Sequence, residues 1–529
     1  LTHSLHEKHD VEADYFRLPP VEPENKKTGY AGKNKNKAHL IAKVFPEFLL
    51  CPKCQNIKRY NKWSRDEGSV RRYCSSCSNS SSNIRFVVPV RFVRACVNGH
   101  LDNFDFSWWL KHCGARYKDI TQQQLECTHE NHLRLIQEKG LGLSSLKVRC
   151  KECDLNASMK GVFQQKTKCT GRKPWLIDEH DHREECDQMM VASQRNAKNL
   201  WLGLAESAIF IPPWDEVTPR KLGEWWDRIM KRSSMEDRKA YIEINLEDIN
   251  NESHTDFTTI QLSEIIEAEK NNMSSADPVL KNDEFKAFTQ SNKTVNHGNF
   301  QIRQVALPPK TNSFIDKVIE VQKLKEMRAL WGFKRLNSEV PVKLSSAENK
   351  WLPATEMFGE GLFLALKDSV IIDFINSSEA DNDFKKISDE VDPSQKKYIF
   401  IHSLSHVLMK GLSIESGYSL SSVKERIYSR DGMSGILIFT SSSDSEGTLG
   451  GLSRLAYPKR FTQILEMSSY TASRCSNDPL CSHGALSKDS SKNGSVCHSC
   501  MLLPETSCED FNSNISRVMV GKFFDKYYV

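Results

Sequence analysis

Apolar residues along this chain recur at helical spacing in some stretches and in continuous runs in others. Residues 194–210 (QRNAKNLWLGLAESAIF) place Leu200, Leu204 and Ala208 four residues apart, which predicts a helix broken by Pro212 and Pro213. KLGEWWDRIMKR (221–232) predicts a second helix, and IDKVIEVQKLKEMRALWGF (315–333) reads as an amphipathic one. Further helices are expected near 396–428 and near 511–527. The run GILIFTS (435–441) predicts a buried strand, and IRFVVPVRF (84–92) predicts short strand-like pieces. The mixture predicts an α+β, or mixed α/β, multidomain fold.

A chain of 529 residues has room for two to four domains with their own cores. Composition divides it. Residues 1–47 form a polar N-terminal arm, and 48–190 are rich in Cys and His. Residues 191–345 are mainly helical in pattern. Within them 249–300, rich in Asn, Ser and Glu, read as a flexible insertion. Residues 346–529 form a C-terminal domain with its own cysteine cluster.

The net charge of +5 says little, but its distribution says more. Lys26, Lys27, Lys33, Lys35, Lys37 and Lys43 fall in an acid-free stretch, and residues 51–95 hold ten Lys and Arg against Asp66 and Glu67. Such a face suits nucleic acid; it also suits an ordinary solvated surface. No apolar run is long enough to span a membrane, and no signal peptide is evident. With C-x2-C pairs among its sixteen cysteines, the chain reads as a zinc protein of the reducing cytoplasm rather than a disulfide scaffold.

Cys51-x2-Cys54 and Cys74-x2-Cys77 are two knuckles, each placing two thiolates on a tight turn, and together they close a four-coordinate zinc site of ribbon type. Cys150-x2-Cys153 offers another tight pair, with Cys169 and Cys186 as its expected complement. Cys96-x3-His100 supplies half a site, completed by His112 and Cys127 or by Cys113; the alternative is a buried Cys beside hydrogen-bonded histidines. Cys475, Cys481, Cys497, Cys500 and Cys508 compete for four places in 34 residues. Four protein ligands leave no open position, so these zinc-ribbon-like, four-cysteine modules read as structural, with three to four Zn2+ in all.

The segments HSLSHVLMKGLSIESGYSLSSVKERIYS (402–429), GILIFTSSSDSEGTLGGLSRL (435–455), CSNDPLC (475–481) and CHSCMLLPETSCEDFN (497–512) resemble the zinc-binding C-terminal domain of the DrmB family, the helicase-partner subunit of the DISARM anti-phage system. RFVRACVNGHLDNFDFSWWLKHC (91–113), CTGRKPW (169–175) and WLPATEMFGEGLFLAL (351–366) resemble further DrmB segments in the same order. The resemblance spans about residues 40–529 and implies a Gly-rich segment ahead of Leu1. It implies Cys169 and Cys186 as ligands, and Cys481, Cys497, Cys500 and Cys508 as the C-terminal set with Cys475 the alternate. It also implies a DrmA-like superfamily 2 helicase as partner, in a defence complex that meets single-stranded DNA or duplex ends.

No phosphate-binding G-x4-G-K-[ST] loop is present, so the expected role is a non-catalytic subunit whose motor is the partner. Lys53, Lys58, Arg59, Lys62, Arg65, Arg71 and Arg72, on and between the first two knuckles, are the expected phosphate contacts. Tyr60, Trp63, Tyr73, Phe86 and Phe92 are either base-stacking platforms or ribbon core. A competing reading is a phosphodiester-cleaving enzyme built on His402, His406, Asp444 and Glu446, which requires those four side chains to converge on an open pocket. Glu356 and Glu360 pose the same ambiguity, and a pure scaffold is the third reading.

Overall fold

The computed structural model describes residues 1–18, 43–66, 69–78, 83–114, 130–153, 155–176, 183–197, 200–211, 222–253, 257–260, 262–263, 266, 280–289, 294–335, 338, 340–344, 350–388, 391–430, 432–442, 450–486 and 493–528. The fold is α+β. It divides into two compact units, one of Leu1–Leu18, Glu206–Ala329 and Pro353–Val529, the other of Pro19–Ala205 and Leu330–Leu352. No described helix is long and apolar enough to cross a membrane.

The Pro19–Ala205 unit is built from short antiparallel strands. One sheet orders Val88–Pro89, Phe48–Leu50, Asn56–Arg59, Leu133–Gln137, Leu146–Cys150 and Asn156–Ser158; a second orders Lys166–Lys168, Met189–Gln194, Phe92–Ala95 and Leu101–Asn103. Phe48, Ile57, Phe92, Phe104, Phe106, Trp109, Leu133 and Val148 form the shared core. The helix Phe106–Gly114 belongs to it, with Trp109 donating its indole N–H to the Ser158 carbonyl at 3.2 Å. Cysteines sit where these strands turn. Phe48–Leu50 passes into Asn56–Arg59 through Cys51–Gln55, where Cys51 N–H donates to Asn56 O at 3.0 Å and Gln55 takes a φ of 59°.

The other unit rests on long strands. Its sheet runs Thr294–His297, Phe300–Val305, Ile315–Lys334, Trp351–Leu366, Gly435–Thr440, Val423–Tyr428. Side chains alternate across it. Ile436 and Ile438 join Val423, Ile427, Leu362 and Leu364 under a helical layer, Asp368–Ile375, Ser378–Ile387, Pro393–Ser416, Pro458–Ser473 and Arg517–Tyr527. Leu437 and Phe439 face the opposite core with Phe363, Tyr428 and Phe288, the last from the helix Leu280–Thr289. Gly435–Thr440 is therefore buried on both faces, as its unbroken apolar run predicts.

Several expected helices are strands. Residues 315–333 lie in the strand Ile315–Lys334, and the expected helix 194–210 contains the strand Leu202–Ile209. The helix expected over 396–428 ends at Ser416 and is followed by the strand Val423–Tyr428. The expected insertion 249–300 holds the end of the helix Met235–Ser253, the helix Leu280–Thr289 and the strand Thr294–His297. Phe257, Leu262 and Ile266 pack with Trp225, Trp226, Ile229 and Ile242 in a core of their own.

The strand Val423–Tyr428 carries three buried charges in a row, and period 2 sends them to opposite faces. Arg426 grips Glu284 through two bonds of 2.5 and 2.7 Å, and Glu284 also accepts from Tyr428 OH and Ile209 N–H at 3.0 Å. Removing one partner strands the other in a dry core. Glu284→Ala is expected to destabilise this unit by about 3–5 kcal/mol. Asp381→Ala, which breaks only exposed pairs with Lys385 and Lys396, should leave the stability nearly unchanged. Denaturant unfolding measures both; equal costs would contradict the assignment.

Candidate metal centres

No disulfide joins the described cysteines; instead they converge in groups. A tetrahedral ion with bonds of about 2.3 Å to sulfur and about 2.0 Å to nitrogen sets its ligands about 3.8 Å apart for S···S and about 3.5 Å for S···N. A disulfide would require about 2.05 Å.

The first group is the expected one: Cys51, Cys54, Cys74 and Cys77 come together, with Cys54 Sγ 3.8 Å from Cys74 Sγ. Each pair sits on a turn that leaves a short strand or bridge, and Leu49 and Trp63 close a miniature core over them. Burial and the neighbouring thiols push Cys74 up to about 12. A bare cluster of this kind would hold protons, which a divalent ion must displace to bind.

The second group is Cys96, His100, Cys169 and Cys186. His100 Nδ1 lies 3.4 Å from Cys96 Sγ and 3.5 Å from Cys169 Sγ, and its Nε2 faces Glu184 at 3.4 Å, the carboxylate–imidazole support common behind metal ligands. Gly171 N–H donates to Cys169 Sγ at 3.3 Å, and burial pushes that thiol up to about 12. Gly99, at φ +87°, makes the turn that folds His100 back over Cys96; a Cβ there would fall 2.0 Å from Val342.

This corrects two expectations. Cys150 and Cys153 do not complete the Cys169–Cys186 pair, because they lie on a hairpin of the six-stranded sheet while Cys96, Cys169 and Cys186 flank strands of the four-stranded one. Cys96-x3-His100 is completed by Cys169 and Cys186 rather than by His112 or Cys113. His112 is exposed and stacks on Trp108 with ring centroids 4.0 Å apart, and Cys113 packs against the apolar core. Cys127 lies outside the described residues.

The third group also reorders its ligands. Cys475, Cys481, Cys497 and Cys500 converge, with sulfur separations of 3.5 Å (475–497), 3.6 Å (481–500) and 3.6 Å (497–500). Cys475 is therefore a full member and Cys508 lies elsewhere. Arg517 explains the selection: it reaches from the C-terminal helix to clasp Asp478 at 2.8 and 3.0 Å, and Asp478 accepts the Cys475 N–H at 2.9 Å, fixing the first loop. Burial pushes Cys500 up to about 11. At Cys497 burial acts the same way but is outweighed by donors led by the Asn477 amide, which hold it at about 6.

His402 and His406 are fully buried, so they fail the open pocket that the enzyme reading demands; Asp444 and Glu446 lie outside the described residues. Both remaining glutamates are structural. Glu356 pairs with Lys325 at 2.9 Å. Glu360 accepts from Tyr418 OH, Leu452 N–H and Ser453 OH at 3.1, 3.2 and 2.9 Å.

Around the first centre Lys53, Lys62, Arg65 and Arg71 are exposed, and Lys58, Arg59 and Arg72 are half-buried. Arg59 is engaged internally by Glu47 at 3.2 Å and Glu130 at 3.3 Å. Arg72 lies over Tyr60 at 4.2 Å, Arg71 over Phe86 at 5.4 Å and Lys58 over Trp63 at 5.3 Å. Trp63 and Phe92 are core residues; Phe86 is exposed.

Residues 404–501 match the model of the MrfA Zn-binding domain, and residues 1–202 match a domain of unknown function, DUF8724. The DISARM protein DrmB of Bacillus paralicheniformis is 29% identical over 572 residues, covering 98% of this chain and 93% of that protein. The chain is DrmB-like along its length. A crystal structure of the DUF1998 helicase MrfA bound to DNA aligns with 44% of this chain and 26% of its own, at 13% identity and a TM-score of 0.21. The zinc-binding match contains Cys475, Cys481, Cys497 and Cys500, whose spacing fits a tetrahedral ion.

Cys96→Ala and His100→Ala should each remove one zinc equivalent, while His112→Ala should leave the metal content unchanged. Elemental analysis of the reduced, purified chain measures this. Wild-type zinc in a folded Cys96→Ala protein would contradict the second centre.

Proposed function

We propose that this chain is a non-catalytic, zinc-stabilised subunit of a DISARM-type anti-phage defence complex. It pairs with a DrmA-like superfamily 2 helicase, which supplies the motor, and helps hold DNA. The observation that carries this reading is the likeness to a DISARM DrmB protein over 98% of the chain. The chemistry agrees. Among the described residues, the three cysteine-rich groups each supply four protein ligands, enough to fill a tetrahedral shell. The two histidines best placed for catalysis are sealed in a core.

DNA contact falls to the surface of the first centre. Lys53, Lys62, Arg65 and Arg71 project from a metal-clamped turn region that holds their backbones still. Arg71 and Arg72 lie against aromatic faces, which limits the freedom each would lose on meeting a phosphate. Charges of this kind grip backbone and carry no base code, so binding is expected to be independent of sequence.

Co-expression with a DrmA-like helicase tests the pairing: the two proteins should co-purify through size exclusion at high salt, and clean separation would contradict it. Changing Lys62, Arg65 and Arg71 together to Ala should weaken DNA binding by the complex and shallow its salt slope by roughly two to three units. If the triple variant loses the helicase while the remaining complex keeps its salt slope, this face binds the partner and not DNA.

A further inference from the structure

Four polar side chains meet at one point beneath the helical layer of the C-terminal unit. His402 and His406 stand one turn apart on the helix Pro393–Ser416, Glu425 points up from the strand Val423–Tyr428, and Cys508 comes from the loop between Cys500 and the helix Arg517–Tyr527. Their exposures are 0, 0, 4 and 8%. His402 Nε2 lies 3.1 Å from Cys508 Sγ and 3.0 Å from Glu425 Oε1; His406 Nε2 lies 3.3 and 3.4 Å from the same two atoms.

We propose that His402, His406, Glu425 and Cys508 form a further metal centre that holds a divalent transition ion of the zinc class. The assignment does not depend on the helicase or DNA reading.

The geometry is that of a coordination shell. Around a tetrahedral ion an imidazole nitrogen stands about 3.5 Å from a thiolate and about 3.3 Å from a carboxylate oxygen, close to the separations here. A hydrogen-bonded cluster has no need for both imidazoles to aim the same nitrogen at the same two atoms. The second layer agrees at His406 and Cys508, while His402 Nδ1 is buried without a hydrogen-bond partner. His406 Nδ1 lies 3.0 Å from the Met501 carbonyl, which only accepts, so the proton sits on Nδ1 and Nε2 keeps its lone pair. Backbone N–H groups of Asp510 and Asn512 donate to Cys508 Sγ at 3.3 and 3.2 Å, as they would to a thiolate. Phe511 and Asn512 take positive φ, 49° and 62°, to wrap the loop around that sulfur. Glu425 Oε2 is buried without any partner, an arrangement that costs free energy unless a cation lies beside it.

The ligand charge suits a dication. Two neutral imidazoles, one carboxylate and one thiolate sum to −2, which a dication cancels in a site sealed from water. Thiolate and imidazole donors favour zinc over calcium or magnesium. All four places are filled from the protein, so the role is structural. One loop leaves the Cys497–Cys500 knuckle and reaches Cys508 eight residues later, so each ion holds one end of it.

Zinc K-edge absorption on the intact chain tests this without mutation. With the centre loaded, nitrogen and oxygen should make up roughly a quarter of the zinc ligands; with only the three cysteine-rich groups loaded they fall below about one in ten. A value at the lower figure overturns the proposal. Cys508→Ala and His406→Ala should each lose one metal equivalent, and a folded variant with full wild-type zinc would also overturn it. If neither variant folds, the absorption measurement on the wild-type chain still decides.

Discussion

Thiols packed sulfur to sulfur in a dry interior are the constraint on which the rest of this structure depends. At separations of 3.5–3.8 Å they are too far apart to bond and too close to be ionised together without a cation. Burial drives Cys74, Cys169 and Cys500 up toward 11–12, so each bare cluster would hold protons that a metal must displace, even where a neighbour such as Cys497 is held low. A zinc ion would convert each cluster from a cost into a clamp.

The two units lean on that clamp unequally. In the Pro19–Ala205 unit most strands are two to five residues long, and the core around the first centre is Leu49, Trp63 and the cysteines themselves. So small a cluster cannot offset the entropy of ordering its loops. The larger unit has an extensive apolar core between sheet and helices. There the metal groups fasten the polar stretch from Cys475 to Cys508, which has little apolar content of its own. A chain held this way would present rigid, charged surfaces, which suits the role proposed above beside a partner's motor.

The cysteine pairs were legible because C-x2-C fixes its own geometry within one turn, as Cys51 and Cys54 illustrate. What completes a half-site was not, since it depends on which strands pair. Cys96 and Cys169 meet because Phe92–Ala95 and Lys166–Lys168 both flank Met189–Gln194. Glu425 carried a signal: in V-K-E-R-I-Y it shares the parity of Val423 and Ile427, so a strand reading points it into the helical core. The strand Ile315–Lys334 mimics a helix in its sequence for a definite reason. Its register shifts between Ile315 and Lys317 and again between Val321 and Leu324. Those irregularities break the alternation: Ile315 and Val318 join one core and Val321 and Leu324 the opposite one, each pair at a helix-like spacing of three. Bulges are invisible to periodicity, and only the pairing partner Trp351–Leu366 shows where they fall.

If metal is what orders the short-stranded unit, hydrogen exchange should reveal it directly. The reduced chain would be stripped of metal under denaturing conditions, refolded with and without zinc, and its amide protection mapped by mass spectrometry. The account predicts that Phe48–Arg59 and Cys74–Ala95 gain slow exchange only when zinc is supplied, while Gly435–Thr440, buried on both faces, is protected in either case. Full protection of Phe48–Arg59 in the zinc-free protein would contradict it.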